Sequence, residues 1–532
     1  MKLALAQIDP VVGDLDGNRE LIVRQIEEAR VAGADLVVLP ELAVTGYPPE
    51  DLLLRPGFVH AARASVERIA AETRDVIALV GVPLYDGALF NACAICADGE
   101  VTGWAKKWHL PNYGVFDEKR YFAAGDELAL VDVAGTKVGI TICEDMWVPG
   151  PPTTELASAG AELVVNLSAS PFHVGRAQER EEIFTARARE CGVRVALCNT
   201  VGGQDELVFD GHSLVIERDG RLLARAPGFE EALLLVDLEL PDAAAVAPLD
   251  DELEQMRRAL VLGLRDYVGK NAFEDVVVGV SGGIDSAVTA ALAVEALGAE
   301  RVHCVSMPSR YSSEGTRTDA RRLAENLGCD FHELPIEPVV DAYGAVLAGP
   351  FAGREPDLAE ENLQARARGT LLMALSNKFG WLLVATGNKS ELSVGYATLY
   401  GDMAGGFALL KDVFKTDVFR LARRLNERAG RELVPQSTID RPPSAELRED
   451  QRDEESLPAY AELDRVLEAY VESDRSLDEL SADGFDPDVV ARAVALVDRA
   501  EYKRRQAPPG VRLRPKAFGR DRRTPITNRW RS

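Results

Sequence analysis

Apolar positions along the chain fall into short runs separated by amphipathic stretches. DLVVLP, VIALVGVP, KVGITIC, ELVVNLS and VRVALCN are unbroken apolar runs of strand length. Unbroken runs, rather than strict alternation, mark strands covered on both faces. Between several of them lie stretches with helical spacing, such as NRELIVRQIEEARVAG. Residues 1–240 therefore predict an α/β layered domain. PDAAAVAP then reads as a linker over 241–250. Residues 251–532 open with a helix near Asp251–Val268 and continue with EDVVVGVSGGIDSAVTAALAVEALG, RVHCVSMP, a helix from Thr316, DFHELPI and WLLVATG. That order predicts a doubly wound, Rossmann-like parallel sheet. Ala348–Glu361 and Asp440–Ser456 break the pattern and are expected to be irregular, the second as a solvated surface loop rather than a lid.

Charge narrows the partners. The 532 residues carry a formal net charge of −26. This keeps the protein in solution and argues against nucleic acid or a membrane surface as partner. No apolar run reaches the roughly 18 residues of a membrane helix. MKLALAQIDPVVGD turns polar too soon for a signal peptide and reads as a first buried strand. Seven scattered cysteines suit a reducing cytoplasm. Cys93 and Cys96 form a C-x-x-C without a second pair, so core packing is expected there. The last 32 residues hold eleven Lys/Arg and two acids. They are expected to pack on the acidic body, with anion binding an open alternative near Lys503.

Three polar residues stand at strand ends of the first half: Glu41 after LVVLP, Lys107 in WAKKWHLPNYGVFDE and Cys143 after GITI. A thiol attacks an amide once deprotonated. A carboxylate can take its proton, and a cation can steady the oxyanion. Alone, a cysteine after a strand is usually core. In the second half, Gly279 and the loop Ser281-Gly282-Gly283-Ile284-Asp285-Ser286 lead from a strand into a helix. Small residues there let backbone N–H groups approach phosphate oxygens. A Walker lysine is absent, and Asp285 suggests a Mg²⁺ ligand instead.

PELAVTGYP, KWHLPNYGVFDE and ICEDMW, in this order, resemble the nitrilase superfamily. The resemblance implies an αββα sandwich with Glu41 as base, Lys107 as oxyanion-side cation (Lys106 the runner-up), Cys143 as nucleophile and Glu118 as auxiliary glutamate. Similarity to the glutaminase domain of glutamine-dependent NAD⁺ synthetases implies a glutamine pocket of Tyr47, Phe116, Glu144, Ser170 and Arg176. SGGIDS resembles the PP-loop of ATP pyrophosphatases, which implies adenylation of a carboxylate. ENLQARARGTLLMALSNKFGWLLVATGNKSELSVGYATLYGD, RPPSAELREDQRDEESLPAY and EYKRRQAP resemble the NAD⁺ synthetase core. The PP-loop likeness implies that Gly279, Ser281, Gly282, Gly283, Asp285 and Ser286 contact ATP, and these segments imply that Thr386 and Lys415 do so too and that Asn362, Glu391 and Lys503 serve deamido-NAD⁺. Asp285 and Glu391 would hold Mg²⁺. The family's habit implies a homo-oligomer. The alternatives are another PP-loop glutamine amidotransferase, or a carbon–nitrogen hydrolase regulated by nucleotide. Ammonia is mostly protonated at neutral pH, so a protected path between the two sites is expected.

Overall fold

The computed structural model describes residues 1–240, 244–449 and 451–530. Pro241–Ala243 of the expected linker, Asp450 and the last two residues lie outside them. The chain divides into two compact units, Met1–Glu252 and Leu253–Ser532.

The first unit holds two six-stranded sheets. One runs in the order Ala232–Asp237, Lys2–Gln7, Leu36–Val38, Ile77–Asp86, Ala88–Ala97, Glu100–Lys106. The other runs Leu222–Arg225, Leu214–Ile216, Arg194–Asn199, Leu163–Ser168, Thr136–Ile142, Leu130–Val133. Side chains alternate across each sheet, so one strand feeds two cores. Leu3 and Leu5 join Leu36, Val138, Ile140 and Val165 in a core between the sheets. Ala4 and Ala6 point the other way, toward helices Leu15–Val31 and Pro56–Ala71. Helix Arg176–Cys191 covers the outer face of the second sheet through Phe184 and Ala188. The result is an αββα sandwich. Cys93 lies in the inter-sheet core and Cys96 in the outer one, so the C-x-x-C thiols face opposite sides of the sheet. Within the expected linker, Ala245 O accepts from Arg225 N, and Ala247 N donates to Arg225 O, each at 3.0 Å.

The second unit is built on a five-stranded, all-parallel sheet. Its order is Asp330–Glu333, Val302–Ser306, Val276–Gly279, Leu382–Ala385, Phe407–Ala408. The first strand in sequence is thus central. The chain steps to one side of it, then returns to the other. Such a reversal leaves a crevice beyond the strands' carboxyl ends, where ligands bind in open α/β sheets. Helices Tyr460–Leu467 and Pro487–Arg499 form a separate helical core with Leu392 and Val394.

The irregular stretch expected over Ala348–Glu361 ends early. Asp357 and Glu360 form a capping box that starts helix Leu358–Phe379. The basic tail packs on acids of the body, as its charge predicts: Arg514 pairs with Asp417 at 2.5 Å, and Lys516 pairs with Asp474. No described helix is long and apolar enough to cross a membrane.

Candidate active sites

Each polar residue singled out in the first unit follows a strand of one of its two sheets. Glu41 lies just past Leu36–Val38, Lys107 follows Glu100–Lys106, and Cys143 follows Thr136–Ile142. The Lys107 ammonium donates to Glu41 Oε1 at 2.7 Å and to Glu118 Oε1 at 2.9 Å. Glu41 is fixed further by Asn91 Nδ2 at 2.7 Å and by the Ala169 N–H at 3.0 Å. Cys143 is buried and turns the chain with φ +44°, a strained conformation for a non-glycine residue. Its N–H donates to Leu167 O at 2.8 Å.

Two carboxylates and one ammonium share this dry space. Burial pushes the Glu118 carboxyl above the usual range, against the pull of Lys107. Burial alone would lower Lys107, but Glu118 and Glu41 outweigh it and hold the ammonium charged. Burial, with Glu41 adding to it, pushes the Cys143 thiol well above its ordinary value. Burial and the neighbouring carboxylate thus both favour the neutral thiol at Cys143.

The remaining residues implied for this site divide. Tyr47 donates to Glu118 Oε1 at 3.0 Å, which orients that carboxylate. Glu144 accepts from the Tyr113 hydroxyl at 2.9 and 3.1 Å. Phe116 packs edge-on against Tyr113, centroids 5.5 Å apart. Arg176 lies 3.8 Å over the Trp147 ring and pairs with Glu179 at 2.7 Å. The Ser170 N–H donates to Asn199 Oδ1 at 2.9 Å, and its buried hydroxyl has no hydrogen-bond partner among the described residues.

Two residues went unnoticed in the sequence. Tyr113 is half-exposed, its hydroxyl donating to Glu144 and its ring meeting Phe116 edge-on. Asp145 accepts backbone N–H groups from Trp108 at 3.0 Å and His109 at 2.8 Å through Oδ1, and from Ile142 at 2.9 Å through Oδ2. One carboxylate thus ties the segment after Lys107 to the strand end before Cys143. Only the polar spacing of KWHLPNY and ICED hinted at either.

In the second unit, the crevice holds a cavity of ≈290 Å³ lined by Gly279, Ser281, Gly283, Asp285, Ser286 and Thr386, among others. Ser281 Oγ accepts from the Gly283 N–H at 3.2 Å, and Ser286 Oγ donates to Gly283 O at 3.0 Å, so the loop is internally braced. Gly282 has φ +82°, and a Cβ there would stand 2.2 Å from Thr316 O. Gly282→Ala is expected to lose about 1–3 kcal/mol of stability to strain and clash. Urea denaturation of the variant against the parent chain measures this, and an unchanged midpoint would refute the packing argument.

Three helix starts converge here. Asp285 stands in the first turn of Ile284–Leu297, Glu391 in that of Lys389–Val394, and Lys415 opens Lys415–Ala429. Lys415 Nζ reaches Asp285 Oδ2 at 2.5 Å and Glu391 Oε1 at 2.9 Å. Asn388 Nδ2 donates to Asp285 Oδ1 at 2.8 Å. Burial pushes the Glu391 carboxyl above its usual range despite Lys415. Among the described residues no group of three or more His, Cys, Asp or Glu gathers as a metal cage.

Two further implied residues stand against the cavity wall, where Thr398 and Tyr396 line it. Asn362 Oδ1 accepts from Thr398 Oγ1 at 2.7 Å. The Lys503 ammonium donates to Gly395 O at 2.7 Å and Ala397 O at 2.6 Å, in the turn just past helix Lys389–Val394. The segment expected as a solvated loop is part of the cavity wall. Arg441 Nη1 and Thr438 Oγ1 donate to Gly282 O at 3.1 and 3.3 Å, and Pro442, Glu446 and Asp453 line the cavity. Tyr396 and Tyr460 hold Asp453 at 3.2 and 2.9 Å.

Comparison with known proteins gives the same division of the chain. The carbon-nitrogen hydrolase family model matches residues 2–248, and the NAD synthase model matches 256–507. A glutamine-dependent NAD(+) synthetase of Thermotoga maritima is 46% identical over 100% of this chain and 99% of its own. Another from Acinetobacter baylyi is 46% identical over the same shares. The structure of glutamine-dependent NAD+ synthetase from Acinetobacter baumannii with adenosine diphosphate is 42% identical, with TM-score 0.81 over 99% of this chain and 98% of that one. With identity at this level over its whole length, the chain belongs to the glutamine-dependent NAD(+) synthetase family.

Proposed function

We propose that this chain makes NAD⁺ from deamido-NAD⁺, ATP and glutamine, releasing glutamate, AMP and pyrophosphate. One observation carries the reading: a buried Cys–Glu–Lys pocket and a PP-loop crevice stand on one chain. In the first pocket Glu41 takes the Cys143 proton, and the sulfur attacks the glutamine side-chain carbonyl. Lys107 steadies the oxyanion, Glu41 returns the proton to the leaving ammonia, and water clears the thioester. Glu144 and Arg176 are the candidates for the α-ammonium and α-carboxylate, with Tyr47, Phe116, Ser170 and Tyr113 shaping the pocket around them.

In the crevice, the nicotinate carboxylate of deamido-NAD⁺ attacks the α-phosphorus of ATP and pyrophosphate leaves. Ammonia then displaces AMP to form the amide. Backbone N–H groups of Ser281–Ser286 receive the leaving phosphates. Asp285 and Glu391 suit Mg²⁺, because they already share one cation, and Mg²⁺ held through phosphates needs only one or two carboxylates. Bound there, it would neutralise phosphate charge. Residues 1–240 would form the glutaminase domain and 251–532 the synthetase domain.

A homo-oligomer is supported by helix Glu337–Leu347, an apolar helix with no buried residue and Val346 77% exposed. Seven free thiols suit a cytoplasmic setting. Release of pyrophosphate from ATP on adding deamido-NAD⁺ tests the function. No release would leave a hydrolase with a regulatory nucleotide site. Release with a different acid alone would make the chain another PP-loop amidotransferase.

A further inference from the structure

Four cations line the crevice: Lys415, Arg441, Arg317 and Arg368. Three are neutralised by neighbours. Lys415 pairs with Asp285 and Glu391, Arg441 with Asp319, and Arg317 with Glu333. Arg368 has no ion pair among the described residues. Its one side-chain hydrogen bond runs from Nε to Met307 O at 3.0 Å, which leaves both terminal nitrogens uncommitted. Helix Leu358–Phe379 presents Ala365, Arg368, Gly369 and Leu372 to the cavity at helical spacing, and Arg368 is the one charge on that face. Burial is the largest influence on the guanidinium, and Glu446, Glu337 and Asp402 act on it from beyond pairing distance.

A desolvated charge without a partner is costly. A guanidinium anchored at Nε, with its two terminal nitrogens side by side, matches two oxygens of a phosphate. The loop itself offers no cation, since Asp285 occupies the place of a phosphate-binding lysine and Lys415 is committed to carboxylates.

We propose that Arg368 is the phosphate receptor of this crevice, its terminal nitrogens gripping a phosphate of a bound nucleotide. The proposal rests on the reading that ATP and deamido-NAD⁺ enter here. Both carry phosphates, and the test separates them.

Arg368→Met and Arg368→Lys are made in the full chain, and the binding of ADP and of deamido-NAD⁺ is followed by calorimetry. Arg368→Met is expected to weaken one of the two by about 10- to 100-fold, the size of a charged hydrogen-bond pair. Loss for ADP places the phosphate on ATP, and loss for deamido-NAD⁺ alone places it on the dinucleotide. Arg368→Lys keeps the charge and stem without the fork. It is expected to raise the KM of the affected nucleotide by about 5- to 10-fold, and more than it lowers kcat. A packing role would lower Tm and leave nucleotide affinity alone. Unchanged affinity for both nucleotides in both variants overturns the proposal. Absence of pyrophosphate release by the unaltered chain would instead sink the functional reading, and the ADP titration would still stand.

Discussion

Cys143→Ala should lower glutamine-driven NAD⁺ synthesis by at least about 10⁴-fold, the usual scale for losing a nucleophile. Synthesis driven by added ammonium should stay within about 3-fold of the parent chain, because Cys143 and the crevice belong to separate compact units and share no named partner. The geometry favours so clean a split. Alanine suits φ +44° no worse than cysteine, and the carboxylate–ammonium contacts of Glu41, Lys107 and Glu118 do not pass through the sulfur. Initial rates with each nitrogen source decide the matter. If both activities vanish together in a folded variant, the role given to Cys143 is wrong.

The mirror image is expected at Asp285. Asp285→Asn keeps the side chain's size and removes its charge. Lys415 then has Glu391 as its one remaining carboxylate, and the crevice loses half of the acid pair suited to a divalent cation. Synthesis from glutamine and from ammonium should fall together, by about 10²–10³-fold, as when one electrostatic contact to the reacting groups is removed. Glutamine hydrolysis measured by glutamate release should persist. Retention of pyrophosphate release in this variant would remove Asp285 from the chemistry.

The layered architecture was legible because strand-length apolar runs report burial on both faces, and both units are built from them. Glu41 and Cys143 were legible for a related reason, each following such a run at its end, whereas Lys107 was singled out by its likeness to the nitrilase pattern, and the fold brings Glu41 and Lys107 to 2.7 Å of one another. Segment 440–456 misled because its polarity resembles that of a solvated loop. Several of its polar groups answer partners more than a hundred residues away, as Arg441 answers Gly282 and Glu446 answers Thr316. Periodicity registers neighbours along the chain and is blind to such pairings. Lys503 stood out by its charge alone, and what the charge could not tell is that its ammonium donates to the carbonyls of Gly395 and Ala397, on either side of cavity-lining Tyr396. Arg368 escaped notice because it sits in a helix whose arginines look alike until one sees which of them have acids nearby.

Asp145 never touches the reacting atoms in the proposed scheme, yet it clamps the chain on both sides of the pocket. Lys107 and Cys143, 36 positions apart in sequence, therefore share one anchor. Their mutual placement is a single degree of freedom rather than two. An amide at 145 can accept through its oxygen alone, so one side of the clamp would open. The harm done by Asp145→Asn should then overlap with that of Lys107→Ala, and the double variant should be far less impaired than the product of the two single losses.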